Sequence, residues 1–266
     1  MNKLCSHLFA QYQELDDLVA PLSEKEWELK TPFDHWTIFD QVAHIAFFDH
    51  EALEAIDAPT RFKERASKVM DFIRSGENWP EHFNPILGPQ TPGELLSLWR
   101  DTRTDLLNRL EMMGPKDRLA WYGPDLGARS FATARLMETW AHGQDIFDTL
   151  GKKRVNYARL KHVAHMGVNT FGWSFKIRGM KAPELTPFVK LSGPCGEQWA
   201  WGDPAQADRV WGSAADFCLV VTQRRNLADT RLECRGKDAR RWLTMAQAFA
   251  GVPQEPPAPG LRNIEY

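Results

Sequence analysis

The sequence is poor in cysteine. Its 266 residues hold four, Cys5, Cys195, Cys218 and Cys234, widely spaced and without a Cys-x-x-Cys pair. In a chain with no export signal that pattern predicts reduced thiols. No sequence neighbour would depress a thiol pKa, so each reads as an ordinary packed or surface cysteine. Long apolar runs are missing as well. Charged and polar residues interrupt Met1 to Ala20 throughout, which argues against a signal peptide. No later segment approaches the ~18 apolar residues of a membrane helix. Positive charge is not in excess, since 33 Lys plus Arg face 35 Asp plus Glu for a formal charge of −2. A phosphate backbone would therefore find no basic surplus. These absences predict a cytoplasmic protein that engages neither nucleic acid nor membrane. Internal repeats and low-complexity blocks are also lacking.

What is present describes a folded protein. A hydrophobic fraction of 43%, a charged fraction of 26% and eleven tryptophans supply ample core material, and the length suits two domains of ordinary size. Leu4, Leu8, Tyr12, Leu15, Leu18 and Val19 recur at helical spacing, so a first helix is expected over Asn2 to Ala20, closed by Pro21. Thr37-Ile-Phe-Asp40 is a capping box that opens a second helix over about Ile38 to Ile56. Arg61 to Arg74 could add an inserted amphipathic helix. Gly76, Pro80, Pro85, Gly88 and Pro89 then predict more than a dozen irregular residues. Thr91-Pro-Gly-Glu94 starts a third long helix, which Gly114 and Pro115 end. Ser130 to Leu150 is the fourth, closed by Gly151. Four such helices predict a bundle.

The pattern changes after Val155. A helix is expected from about Tyr157 to Arg178. A hairpin should follow, with Phe188 to Leu191 and Gln198 to Trp201 flanking Ser-Gly-Pro-Cys-Gly. Ser213-Ala-Ala-Asp216 is a further capping box opening a helix to about Thr222, Arg231 to Cys234 reads as a strand, and Asp238 to Phe249 as a last helix. The four prolines after Gly251 predict an extended tail.

Glu138 and His142 stand four apart, which on a helix brings their Cβ atoms within about 5 to 6 Å, close enough to share a metal ion. Spacing alone is weak, because Asp40 with His44 and His50 with Glu54 share it. The surroundings add weight. The stripe through His142 also carries Arg135, Glu138, Asp145 and Thr149. The rest of that helix is apolar, so the stripe faces either a narrow solvent window or an interior polar cavity. His44 sits likewise among Val42, Ala43, Ile45, Ala46, Phe47 and Phe48.

Two stretches resemble a known group. Trp36-Thr37-Ile-Phe-Asp40-Gln-Val-Ala-His44 looks like the helix-two motif of the DinB-like superfamily, in particular its mycothiol-dependent maleylpyruvate isomerase group, and Glu138-Thr-Trp-Ala-His142-Gly-Gln-Asp145 looks like that group's last-helix motif. Val210-Trp-Gly-Ser213-Ala-Ala-Asp216 through Arg224 and on to Trp242 is similar to its small C-terminal domain. The segment from Arg61 to Pro89 matches least. The resemblance implies an α+β protein: a DinB-like four-helix bundle over residues 1–154, a smaller mixed α/β sterol-carrier-like domain over 155–250, and an extended tail over 251–266.

It also implies that His44, Glu138 and His142 bind a divalent ion, zinc first, with nickel, iron or manganese as alternatives. Two imidazoles and one carboxylate leave the ion an open position, as catalytic sites do. A low-molecular-weight thiol such as mycothiol would be held there as thiolate and attack a small electrophilic substrate, in isomerisation or S-transfer. The same site could instead activate water for hydrolysis or serve binding without turnover. Apolar-ligand carriage by the second domain, past Trp199, Trp201 and Trp211, is a third use. Asp40 and Asp145, one turn from the histidines, are candidates to orient the imidazoles. Arg224 and Arg225 are candidates for a substrate carboxylate, which a guanidinium matches with a planar donor pair. The group has an arginine after a Thr-Gly step here, whereas this chain has Gln223 in place of the glycine.

Overall fold

The computed structural model describes residues 1–262. The chain divides into two compact units, Met1–Leu150 and the remainder from Gly151.

Four long helices dominate the first unit: α1 (Asn2–Val19), α3 (Ile38–Asp57), α6 (Pro92–Met112) and α7 (Ala128–Thr149). Shorter elements lie between them: α2 (Glu24–Trp27), α4 (Pro59–Ser75), α5 (Trp79–Leu87), and the two-residue strands β1 (Arg118–Leu119) and β2 (Leu126–Gly127), which pair antiparallel. α1 packs on α6 and α7, and α3 on α6 and α7. The apolar stripes of these helices meet in one interior, where Leu8, Tyr12, Ile38, Ile45, Leu95, Trp99 and Leu136 are fully buried. Both capping boxes expected in this unit form, whereas at Ser213 in the second unit only the half in which Ser213 Oγ accepts from the amide of Asp216 is made. Thr37 Oγ1 accepts from the amide of Asp40 at 3.1 Å, and Asp40 Oδ2 accepts from the amide of Thr37 at 2.8 Å. The same exchange joins Thr91 and Glu94. Each satisfies amides that a helix start leaves without partners.

The irregular stretch expected after Gly76 is a helix, α5, and this is the main correction to the first half. Pro80 occupies its first turn, where a missing N–H costs nothing. Only Pro85 sits in the interior. Trp79 and Phe83 stand one turn apart and bury themselves against Phe47. That packing outweighs the hydrogen bond Pro85 forgoes. Gly76 (φ 72°) ends α4 in the left-handed region.

The second unit holds α8 (Leu160–Asn169), α9 (Phe171–Lys176), β3 (Phe188–Ser192), β4 (Gln198–Trp201), β5 (Arg209–Ser213), α10 (Ala214–Val221), a 3₁₀ turn at Leu227–Asp229, β6 (Glu233–Arg235) and α11 (Lys237–Leu243). The sheet order is β4-β3-β5-β6. The β3–β4 hairpin is in the expected place, with Val189 opposite Trp201. β3 also pairs in parallel with β5, Val189 opposite Val210. The single helix expected from Tyr157 to Arg178 is two. Thr170 divides them, its hydroxyl donating back to the carbonyls of Met166 and Gly167, a local bond that competes with helix propagation. The last helix stops at Leu243 rather than Phe249. The described part of the tail is tied down through its backbone: Gln254 O accepts from Gln223 Nε2 at 2.9 Å, and Pro257 O from Asn226 Nδ2 at 2.9 Å.

Among the described residues no helix is long and apolar enough to cross a membrane. The four cysteines are free thiols. Burial raises the pKa of Cys218 well above the usual thiol value, and burial followed by the charge of Glu111 raises that of Cys5. Neither is an activated nucleophile.

Candidate metal centre

α3 and α7 pack against one another, and each brings part of one cluster to the contact. His44 comes from the second turn of α3, Glu138 and His142 from successive turns of α7. One ligand atom from each lies within 4.8 Å of the others. His142 Nε2 stands 3.4 Å from Glu138 Oε2. Two ligands about 2.1 Å from a tetrahedral ion are themselves about 3.4 Å apart, so that edge is already ion-sized. The His44 and His142 rings are 4.6 Å apart, centre to centre. The three residues thus fit a divalent cation in donor type, number and spacing.

The tautomer of His142 is set by a neighbour the sequence did not single out. Gln41, fully buried on α3, donates through Nε2 to Thr31 Oγ1 at 2.7 Å. Its Oε1 therefore faces His142 and accepts the Nδ1 proton. With that proton held at Nδ1, the lone pair of His142 is at Nε2, on the side of Glu138.

Aromatic rings wall the cluster. Trp36 lies 5.2 Å from the His44 ring and stacks at 6.1 Å on His142, with planes 5° apart. Phe33 meets the His142 edge at 5.2 Å, while Phe48 and Trp79 stand 4.8 and 5.0 Å from His44. Phe33 and Trp36 belong to a tight turn. The amide of Thr31 donates to the carbonyl of Trp36 at 2.7 Å, and the amide of Trp36 to that of Phe33 at 2.9 Å. Asp34 and His35 pass through positive φ at 48° and 57°. Two consecutive non-glycine residues there carry strain of order 1–3 kcal/mol each, borne where the turn aims both rings at the site. α5 contributes Trp79. The rings cover the cluster on several sides, while Glu138 keeps 23% of its side chain exposed and leaves the site open to solvent there.

Of the two candidate orienting carboxylates, Asp40 is bonded to other groups and Asp145 stands beside His142. Asp40 spends Oδ2 on the amide and hydroxyl of Thr37, and its Oδ1 accepts from Asn84 Nδ2 of α5 at 2.6 Å. It joins the start of α3 to α5 rather than bonding His44. Asp145 is fully buried with Oδ2 3.9 Å from His142 Nδ1, beyond hydrogen-bond reach. Gln41 makes that bond instead. A signal for Gln41 existed: it precedes His44 by three residues and so shares its helix face, as Phe48 does at four residues after.

Arg224 and Arg225 follow α10 in the second unit, and both are buried. Nη1 of each donates to a nearby carbonyl, Thr222 O and Arg224 O respectively, at 2.7 Å. Gln223 before them has φ 59°, the left-handed backbone that a glycine at this place would adopt without strain. Its side chain offsets the strain by donating to Ala246 O at 3.0 Å and to Gln254 O.

Two relatives, uncharacterized proteins of Mycobacterium tuberculosis from strains CDC 1551 / Oshkosh and ATCC 25618 / H37Rv, are 42% identical over 246 residues, covering 92% of this chain and 95% of theirs. Two solved structures share the fold at a TM-score of 0.53, covering 84% of this chain and 89% of theirs: mycothiol-dependent maleylpyruvate isomerase, at 15% identity, and a histidine-to-alanine mutant of it, at 14%. Residues 8–147, more than half of the chain and including every member of the metal cluster, match the model described as mycothiol maleylpyruvate isomerase N-terminal domain, and to that family the chain belongs.

Proposed function

We propose that this protein is a metal-dependent enzyme that uses a low-molecular-weight thiol of the mycothiol kind as nucleophile on a small electrophilic substrate, in an isomerisation or a thiol transfer. The observation that carries the proposal is the convergence of His44, Glu138 and His142 within 4.8 Å, three ligands where a structural site would supply four. A divalent ion there, zinc in the first instance, would supply the Lewis acidity that keeps a thiol ionised at neutral pH. The chain's own residues do the rest. Glu138 offsets the ion's charge, Gln41 keeps the proton of His142 at Nδ1 so that Nε2 can ligate, and Phe33, Trp36, Phe48 and Trp79 cover the site on several sides. Asp145 adds its charge beside His142 without a direct bond, and Asp40 acts through the position of α3 and α5.

The scaffold in this reading is a DinB-like four-helix bundle of α1, α3, α6 and α7 ending near residue 154, followed by a sterol-carrier-like domain over 155–250. Arg224 and Arg225 are the residues we assign to a substrate carboxylate. The choice of thiol is supported by the solved proteins of the same fold, which are mycothiol-dependent.

Thermal unfolding of the zinc-loaded protein with mycothiol, bacillithiol and glutathione tests the thiol. A ligand at 100 times its Kd stabilises by about 2.7 kcal/mol, so the cognate thiol should raise Tm by several degrees and leave a His142→Ala variant unmoved. If all three thiols leave the loaded protein unmoved, the site binds no such cofactor, and hydrolysis by activated water becomes the better account.

A further inference from the structure

Beneath the ligand cluster lies a second buried polar assembly, which the proposed chemistry does not use. Asp49 is fully buried on α3 and accepts three hydrogen bonds: from Tyr12 Oη of α1 at 2.7 Å, from Trp99 Nε1 of α6 at 3.0 Å, and from Arg135 Nε of α7 at 2.8 Å. Each long helix gives one member. Arg135, itself 3% exposed, also donates through Nη2 to the carbonyl of Ile45 at 3.1 Å, the residue next to His44. It precedes Glu138 by three residues, one helical turn, on the stripe that carries Glu138 and His142.

A buried guanidinium needs a negative partner, because an unpaired charge in the interior is costly. Arg135 has two carboxylates within electrostatic reach. Burial would lower its pKa, and its neighbours, Asp49 first, then Tyr12 and Glu138, more than reverse that. Its ion pair, however, is with Asp49.

We infer that Asp49 is a positioning residue for the metal centre: it holds the Arg135 guanidinium away from Glu138, so that Arg135 does not compete with the ion for that ligand. The inference rests on the metal-binding reading above. Without Asp49, Arg135 keeps its charge, and Glu138, one turn along the same helix, is the other carboxylate whose charge already reaches it. The cation and the metal then compete for one ligand. Tyr12 and Trp99 complete the arrangement, since their two donors fix the orientation of the Asp49 carboxylate toward Arg135.

The chain carries its own control for mere structural damage. Asp16 of α1, also buried, pairs with Arg100 and Arg103 of α6, and neither of these helices supplies a ligand. Asp16→Asn should lower Tm and leave zinc affinity unchanged.

The test is a thermodynamic cycle on zinc affinity, measured by chelator competition well below Tm. Asp49→Asn should weaken zinc binding about 10- to 100-fold, the range found when groups that support a ligand are removed. In a Glu138→Gln background, where zinc is held by the two histidines, Asp49→Asn should change affinity less than about twofold, because the ligand under competition is gone. Equal losses in the two backgrounds, or no loss in either, overturn the inference. Should Asp49→Asn fail to fold, the neutral pair Asp49→Leu with Arg135→Met takes its place. It removes both charges and should bind zinc within a few-fold of wild type, and a loss of 10-fold or more would contradict the inference. If wild-type protein binds no zinc or other divalent ion, the metal centre itself is wrong and this inference falls with it. Zinc binding that Asp49→Asn leaves intact refutes the inference alone.

Discussion

Gln41 accepts the Nδ1 proton of His142 across 101 residues of sequence, and its own amide is held by Thr31. The bond joins the two helices that carry the ligands and decides which imidazole nitrogen can face an ion. Gln41→Leu keeps the volume and removes the acceptor. Zinc affinity should fall about 10- to 100-fold, read by chelator competition, and the Nδ1 proton of His142 should lose its hydrogen-bonded shift in an NMR spectrum. Unchanged affinity would show that His142 is oriented by other means.

Asp40 provides the contrast. Its carboxylate caps α3 and accepts from Asn84, so Asp40→Ala removes a capping partner and one side-chain hydrogen bond. The cost should be about 1–2 kcal/mol of stability, seen in chemical denaturation as a lower midpoint at constant slope. Zinc affinity should move less than for Gln41→Leu. A larger affinity loss would return Asp40 to the role of orienting His44.

The difference between these two residues explains what the sequence could and could not reveal. Capping is local: Thr37 and Asp40, or Thr91 and Glu94, satisfy each other within one turn, so a short window shows both ends of the bond. The cluster of His44, Glu138 and His142 was legible because helical spacing fixes two members and matched motifs brought in the third. Gln41 was not singled out because its partner lies on another helix, and nothing in the spacing of either points to the other. α5 escaped for a different reason. Local signals from Pro80 and Pro85 argued for a break, and only burial of Trp79 and Phe83 against Phe47 overrides them. β5 was hidden similarly. Its place between β3 and β6 depends on Gly212, where φ is 146° and a Cβ would come within 3.1 Å of Leu232 Cδ1.

Acid stability should depend on Asp16. Burial would raise its pKa, but hydrogen bonds and charge from Arg100 and Arg103 outweigh this and lower it. A carboxylate with a folded pKa below its unfolded value of about 3.9 contributes stability that is fully present above that value and lost as pH falls through the folded pKa. Wild-type protein should therefore lose stability on acidification below about pH 4, and Asp16→Asn should show a flatter profile there with a lower plateau at neutral pH. Parallel profiles for the two proteins would contradict the assignment.

The central claim is that three side chains from two helices form one divalent-metal site. Its most direct test is the metal content of purified protein, by elemental mass spectrometry, for wild type beside the triple variant His44→Ala, Glu138→Ala, His142→Ala. The account predicts about one equivalent of a divalent transition metal in wild type and a loss of at least nine-tenths of it in the variant, with helical content preserved by circular dichroism. Equal metal content in the two proteins, or none in either after reconstitution with zinc, nickel, iron or manganese, would contradict it.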